Sequence, residues 1–287
     1  MKPLRLGLLQ WQIGRGRGVA GWAARLDEQV GFAVRQGGEL LVMPEYAPIE
    51  LAAGDTPDLV AELGTACDSA DQAMAQARAV AMRHGVWLVP GTLPFRREGR
   101  IVNRAPLIAP DGRVAFQDKH VMTRFEAEEW GVSPGAPPSV FATPWGLIGI
   151  AICFDLEFPP LVRAQVEAGA WLILSPSCTD TIAGFNRVRI AAAARAMENQ
   201  CFVGIAPTVG EAPWCGTLDV NRGYAAAFGP VDRGFPEDGV LARGALDAAQ
   251  WVFADLDPER LTSVREAGAV RNHASWPAAP PPCPVIA

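Results

Sequence analysis

The chain has 287 residues, 49% of them hydrophobic and 20% charged, and 25 Lys and Arg against 31 Asp and Glu leave a net charge of −6. This composition supports a sizeable folded core and argues against disorder, while the mild acidity offers no footprint for nucleic acid or an anionic membrane surface. Six cysteines (67, 153, 178, 201, 215 and 283) include no C-x-x-C pair, and His84, His120 and His273 are far apart, so neither a zinc site nor a disulfide framework is expected.

Residues 4–10 read as a short buried strand. Trp22, Leu26, Val30, Ala33 and Val34 recur near helical spacing within 20–36, and Gly37 and Gly38 close that helix. Residues 40–43 form a second buried strand ending at Pro44, which completes a strand–helix–strand unit. The pattern repeats with an Ala-rich helix over 61–84, ended by Gly85, and a strand at 86–90. Strands at 100–108 and 114–118 flank the turn Pro110-Asp111-Gly112, and strands at 140–144 and 147–152 flank Trp145-Gly146. A helix over 160–168, a strand at 171–174, an Ala-rich helix over 186–198 and a strand at 202–206 follow. Further strands are expected at 224–228 and 251–255.

This alternation predicts one α/β domain over residues 1–275, and the hairpins predict a mixed sheet or two sheets. Pro277 and the run Pro280–Pro282 exclude helix and central strand from the Pro-rich tail, residues 276–287. No signal-peptide core follows Met1, and no apolar run reaches about 18 residues. The expectation is a soluble, cytoplasmic protein of a reducing compartment, with no membrane or nucleic-acid partner.

Three strand ends each present a reactive group: Glu45 after 40–43, Lys119 after 114–118, and Cys153 after 147–152. Taken singly, Glu45 and Lys119 read as solvated charges and Cys153 as a small buried residue. Together they form a set for acyl transfer. The cysteine would attack a carbonyl or nitrile carbon, the glutamate would take the thiol proton and later activate water, and the lysine would stabilise the oxyanion with the backbone N–H that follows the cysteine. A thiol at a strand end, just before a helix begun by Pro159, is expected to favour the thiolate.

The flanking residues resemble the carbon–nitrogen hydrolase, or nitrilase, superfamily over about residues 4–260, in its amidase-like branch. Its signatures match Leu41-Val42-Met43-Pro44-Glu45, then Gln117-Asp118-Lys119-His120 after the Asn103…Pro110-Asp111-Gly112 hairpin, then Gly149-Ile150-Ala151-Ile152-Cys153-Phe154-Asp155 with Phe158-Pro159, and Arg195-Ala196-Met197-Glu198-Asn199. The resemblance implies a four-layer α-β-β-α sandwich, with Glu45 as general base, Lys119 as oxyanion stabiliser and Cys153 as nucleophile. It implies no metal or organic cofactor. It also implies a second glutamate, with Glu126 the first choice and Glu128 close behind; helical spacing would put 126 and 129 on one face and turn 128 away.

The residue after the nucleophile is usually Tyr in the family and is Phe154 here, whose N–H alone is needed for the oxyanion. The pocket position that often carries an aromatic residue is taken by Cys178 and Thr179, which leaves an aromatic role to Trp130 or Trp214. Arg124 is a candidate partner for a substrate carboxylate. The strand near the end that usually holds a serine is altered to Gly223–Pro230. Family members commonly pair through the helices after the nucleophile, so a homodimer or higher homo-oligomer is expected. The expected substrate class is a small amide; an N-carbamoyl amide, a nitrile, and a non-catalytic binding protein on the same fold are the alternatives.

Overall fold

The structure is a computed structural model that describes residues 2–54 and 57–277. Its organising strand is Leu4–Gln12 (β1), buried along nearly its whole length. The chain continues through helix Gly18–Arg35 (α1), Leu40–Val42 (β2), helix Leu59–His84 (α2), Trp87–Val89 (β3), Leu93–Arg97 (β4), Arg100–Ile108 (β5), Val114–Asp118 (β6), the short helix Arg124–Glu128 (α3), Val140–Thr143 (β7) and Gly146–Ile150 (β8). Helix Pro159–Glu167 (α4), Leu172–Ser177 (β9), helix Ile182–Asn199 (α5), Phe202–Glu211 (β10), Val220–Asn221 (β11), Ala226–Phe228 (β12), Val240–Arg243 (β13), Gln250–Leu256 (β14) and helix Pro258–Ala267 (α6) complete it.

The strands form two halves of a curled mixed sheet. One half runs β4-β5-β3-β2-β1, with β6 on β5 and β14 on β1; the other runs β10-β9-β8-β7, with β11 and β12 on β10 and β13 on β12. They join where Trp11 and Gln12 of β1 pair in parallel with Thr208 and Val209 of β10. Side-chain alternation along each strand then sorts the apolar residues between two faces. Leu4, Leu6 and Leu8 share a core with Leu40 and Val42 and with Ile148, Ile150, Leu172 and Leu174 of the opposite half. Leu9, Leu41, Met43 and Leu88 instead pack with Trp22, Leu26 and Val30 of α1 and with the alanines of α2. Val162 and Val166 of α4 and Val188 and Ala192 of α5 cover the other sheet. The result is the expected α-β-β-α sandwich. A Cβ added at Gly204 would stand 3.0 Å from Leu6 and 3.1 Å from Leu8, so the two sheets approach closely at that point. Each fully buried Leu or Ile contributes about 1.5–3 kcal/mol.

Two helix starts fall earlier than periodicity predicts because polar caps set them. Asp58 accepts from Ala61 N and begins α2 at Leu59, and Thr181 accepts from Gly184 N and begins α5 at Ile182. The expected strand over 224–228 starts only at Ala226. Four elements carry too little apolar pattern to read from sequence. β4 holds Pro94 and two exposed arginines, β11 is two residues long, β13 is only half-buried, and α6 buries only Pro258, Leu261 and Val264. The arginines of α5 bond within the chain: Arg187 to Glu157, Arg189 to Asn186, and Arg195 to Glu198 and Leu156 O. In the predicted tail, Trp276 lies under the guanidinium of Arg163 at 4.8 Å. Residues 278–287 fall outside the described residues. No described helix is long and apolar enough to cross a membrane.

Candidate active site

Strand β2 carries the chain to Pro44-Glu45. The strand ladder continues past β2, with Met43 N donating to Val89 O, and Tyr46 then takes a left-handed φ of 55° as its N–H donates to Thr92 Oγ1. Glu45 is thereby turned inward and is 1% exposed. The end of β6 is pinned by a buried two-point pair between Arg104 and Asp118, at 2.6 and 3.0 Å, and by Lys119 N donating to Asn103 O at 2.8 Å. That directs the Lys119 side chain into the same buried space. Strand β8 delivers Cys153 at the start of a five-residue 3₁₀ turn with φ of 45°, a left-handed conformation costly for a residue with a side chain. Gln165 of α4 donates to Ile150 O at 2.9 Å and fixes the strand end just before it.

These segments converge. Lys119 Nζ lies 2.8 Å from Glu45 Oε1 and 2.6 Å from Glu126 Oε2. Asn103 Nδ2 donates to both carboxylates, at 2.9 and 3.2 Å. Tyr46 Oη donates to Glu126 Oε1 at 2.9 Å, and Thr123 gives its N–H and hydroxyl to Glu126 Oε2. Glu45 Oε2 receives the Cys178 N–H at 3.1 Å and the Cys178 thiol at 3.2 Å. The Cys153 thiol donates to Cys178 O at 3.5 Å and is also within hydrogen-bonding reach of Glu45. A second clamp ties the loops together, because Asp155 accepts from the N–H groups of His120 and Val121.

The electrostatics assign the protons. Burial works against the Lys119 ammonium, but Glu45 and Glu126 outweigh it and hold its pKa well above the ordinary value. Burial likewise opposes the Glu126 carboxylate, and Lys119 with the Thr123 donors overcomes it and lowers the pKa. Cys153 moves the other way: burial first, then the negative charge of Glu45, push its thiol well above the usual range, and Lys119 offsets only part of this. The expectation of a resting thiolate is therefore corrected. A short 3₁₀ turn does not outweigh desolvation beside a carboxylate, so the nucleophile rests as a thiol with a proton acceptor against it.

Glu45, Lys119, Cys153 and Glu126 are brought together around one cavity of about 420 Å³, and Trp130, Cys178, Thr179 and Phe154 line it. Trp130 packs edge-on against Tyr46 and Phe125 at 5.1 Å, and its Nε1–H has no partner among the described residues. Glu128 is not brought in. Its side chain is 58% exposed and bonds Arg124 one helical turn away, so as a site residue it is corrected. That same pair leaves Arg124, 89% exposed, outside the cavity. Glu129, the C-cap of α3, is exposed as well and does not line the cavity. Trp214 does not line the cavity; its Nε1 donates to Gly14 O.

Sequence reasoning gave no role to Tyr46 or Asn103, which position Glu126 and Glu45, nor to Asp155. One signal for Glu126 was available: Thr123-x-x-Glu126 is a capping box, and both of its reciprocal bonds are formed. The box makes the carboxylate part of the helix cap and so points it back toward Lys119.

Comparison with known proteins gives the family of the chain. The family model "Carbon-nitrogen hydrolase" matches residues 6–265. A "Probable hydrolase YhcX" of Bacillus subtilis is 30% identical over 94% of this chain, which spans 53%, about half, of that protein's length. A "Deaminated glutathione amidase" of Synechocystis is 28% identical, covering 84% of this chain and 87% of its own. A mutant of the amidase from Nesterenkonia sp. AN1, with the acetamide moiety of fluoroacetamide added covalently at the active-site cysteine, superposes with a TM-score of 0.72 at 25% identity, over 92% of this chain and 94% of its own.

Proposed function

The chain belongs to the carbon–nitrogen hydrolase family, and on that premise we propose that it hydrolyses a small amide through an acyl-thioester on Cys153. The observation that carries the reading is the contact of Glu45 with both Lys119 and the two thiol-bearing segments, inside a cavity open to a small molecule.

In the first half-reaction Glu45 takes the thiol proton as sulfur attacks the amide carbon. Neutralising Glu45 frees the Lys119 ammonium to face the developing oxyanion, with the N–H of Phe154 as the second donor. The buried group of Glu45, Lys119, Glu126 and the Cys153 thiol carries one net negative charge before the transfer. Moving the proton from sulfur to Glu45 keeps the total at −1 but shifts the charge onto sulfur beside the lysine. Protonated Glu45 then gives its proton to the amide nitrogen, the C–N bond breaks and ammonia leaves. Water enters, Glu45 takes one of its protons, and the hydroxide carbon–oxygen bond replaces the thioester. The acid departs and the thiol is restored. Glu126, held by Tyr46, Asn103 and Thr123, fixes Lys119 throughout and acts as a positioning residue.

We further read residues 1–275 as one hydrolase domain and the protein as a cytoplasmic homo-oligomer. The decisive experiment is ammonia release from a panel of amides, N-carbamoyl amides and nitriles, with intact-mass detection of the acyl adduct. Turnover of amides with an adduct that Cys153→Ala abolishes is the expected result. Glu45→Gln should stay folded and lose turnover. Absence of any adduct and any turnover across the panel favours a binding protein on this fold.

A further inference from the structure

One wall of the cavity above Cys153 is made by residues 216–221, the tip and return strand of the hairpin of β10 and β11. No reacting group stands on it, so what this wall meets is the acyl chain of the substrate. The ladder between the two strands pairs Gly210 with Asn221 and Glu211 with Val220, which holds the base of the hairpin. Residues 212–219 lie beyond it, where Ala212 N donates to Asp219 O and Cys215 N to Ala212 O.

A buried carboxylate of α2 gathers this tip. Glu62 stands in the first turn of the helix, is 3% exposed and does not itself line the cavity. Its Oε1 accepts the Gly216 N–H at 2.9 Å. Its Oε2 accepts the Thr217 N–H and hydroxyl, both at 2.9 Å, and the Cys215 thiol at 3.6 Å. The positive end of α2 favours a carboxylate at that place. The fit to the helix is close as well, because a Cβ added at Gly216 would stand 3.1 Å from Leu59 N and 3.2 Å from Asp58 N. Three consecutive residues at the root of the wall are thus fixed by one side chain, and two of them, Gly216 and Thr217, line the cavity.

We propose that Glu62 is a positioning residue for substrate binding: it holds the hairpin tip in place before the amide arrives and so sets how well the cavity accepts longer acyl chains. The proposal rests on the amidase reading above. A wall ordered in advance adds no ordering cost on binding. A loosened wall must be ordered by the substrate, which weakens binding without changing the chemistry at sulfur. The two-carbon acyl group of acetamide fills little of a cavity of about 420 Å³, so the effect grows with chain length.

The test measures kcat and KM by ammonia release for linear primary amides of two to six carbons. In Glu62→Gln one acceptor oxygen becomes an NH2 group facing donors, and the clamp is broken. KM for the five- and six-carbon amides should rise about tenfold or more, while kcat falls less than about threefold and the KM of acetamide moves less than about threefold. Gly216→Ala displaces the same tip from the side of α2 and leaves the Glu62 charge in place. It should show the same chain-length pattern, and it carries the test if circular dichroism shows that Glu62→Gln does not fold. Thr217→Val removes one of the four donors and should raise the long-chain KM by about two- to fourfold. A clamp that is structural alone behaves otherwise: it lowers the titratable Cys153 adduct and the apparent kcat by one factor for every amide, with KM unmoved. That result, or a KM rise equal at every chain length, overturns this inference and leaves the amidase reading standing. No turnover and no Cys153 adduct in the parent with any amide overturns the amidase reading and this inference with it.

Discussion

Cys178 gives both its backbone N–H and its thiol to the same oxygen of Glu45, Oε2, at 3.1 and 3.2 Å. The other oxygen is left to Lys119 and Asn103. The two halves of the carboxylate thus have different neighbours, and the backbone donor is independent of the side chain at 178. Replacing the thiol removes only a weak donor, worth at most about 1 kcal/mol. Cys178→Ala is expected to lower kcat by no more than about fivefold, and Cys178→Ser to restore most of it. Peptide mapping of the acyl adduct in Cys178→Ala should still find it on Cys153. An adduct that disappears with the Cys178 side chain would make Cys178 the nucleophile instead.

Glu126 and Glu128 are two residues apart on one short helix and differ in every physical respect. One is 3% exposed and holds Lys119 at 2.6 Å, and the other faces water with Arg124. Glu126→Gln keeps an acceptor for Tyr46 and loses the charge that sustains the ammonium. Its kcat should fall by about a hundredfold or more, with far-UV circular dichroism unchanged. Glu128→Gln should remain within about twofold of the parent in kcat and in midpoint of denaturation, as exposed i,i+4 pairs contribute about 0.3–0.5 kcal/mol.

The contrast also marks how far the sequence could be read. Long periodic elements such as β1 and α2, and the strand ends bearing Glu45, Lys119 and Cys153, are legible because buried apolar runs announce them. The choice between Glu126 and Glu128 depends on a cap, and the capping box at Thr123 was a local signal for it. Asn103 and Tyr46 are of another kind. Asn103 sits in the middle of β5, and Tyr46 reaches Glu126 across 80 positions of sequence. No local pattern encodes a contact of that separation. The resting state of Cys153 was misread for a related reason: burial beside Glu45 is a property of the assembled fold.

Asp155 provides a pH test. Burial raises its pKa from 3.8 to about 6, against the opposing N–H donors of His120 and Val121. The folded state therefore binds this proton more tightly than the unfolded chain. Between pH 4 and 6 the native form holds more protons at this site, so the contribution of Asp155 to stability falls as pH rises through that window. The span is on the order of 3 kcal/mol. Asp155→Asn removes the titration. The difference in denaturation free energy, parent minus variant, should decline from pH 4 to pH 7 and be flat above it. A difference independent of pH would show that Asp155 is not protonated more readily in the folded state.

Gly149 links the sandwich to the nucleophile. It lies in β8 four residues before Cys153, opposite Ile173 of β9. A Cβ there would stand 2.7 Å from Ile173 and 2.8 Å from Gln165, the residue that fixes the strand end through Ile150 O. Neither neighbour has free space to yield, since Ile173 is fully buried and Gln165 is 2% exposed. Gly149→Ala should cost about 1–3 kcal/mol by overpacking. Displacing Gln165 should also loosen the approach to Cys153, so kcat should fall more than KM rises. Pairing this variant with Gln165→Ala, which removes one clashing partner, should recover part of the stability but not the activity. The second loss follows because the restraint on Ile150 is then gone. Denaturation curves and initial rates on the same preparations measure both effects. Full recovery of kcat in the double variant would break the proposed link between the α4 contact and the placement of the thiol.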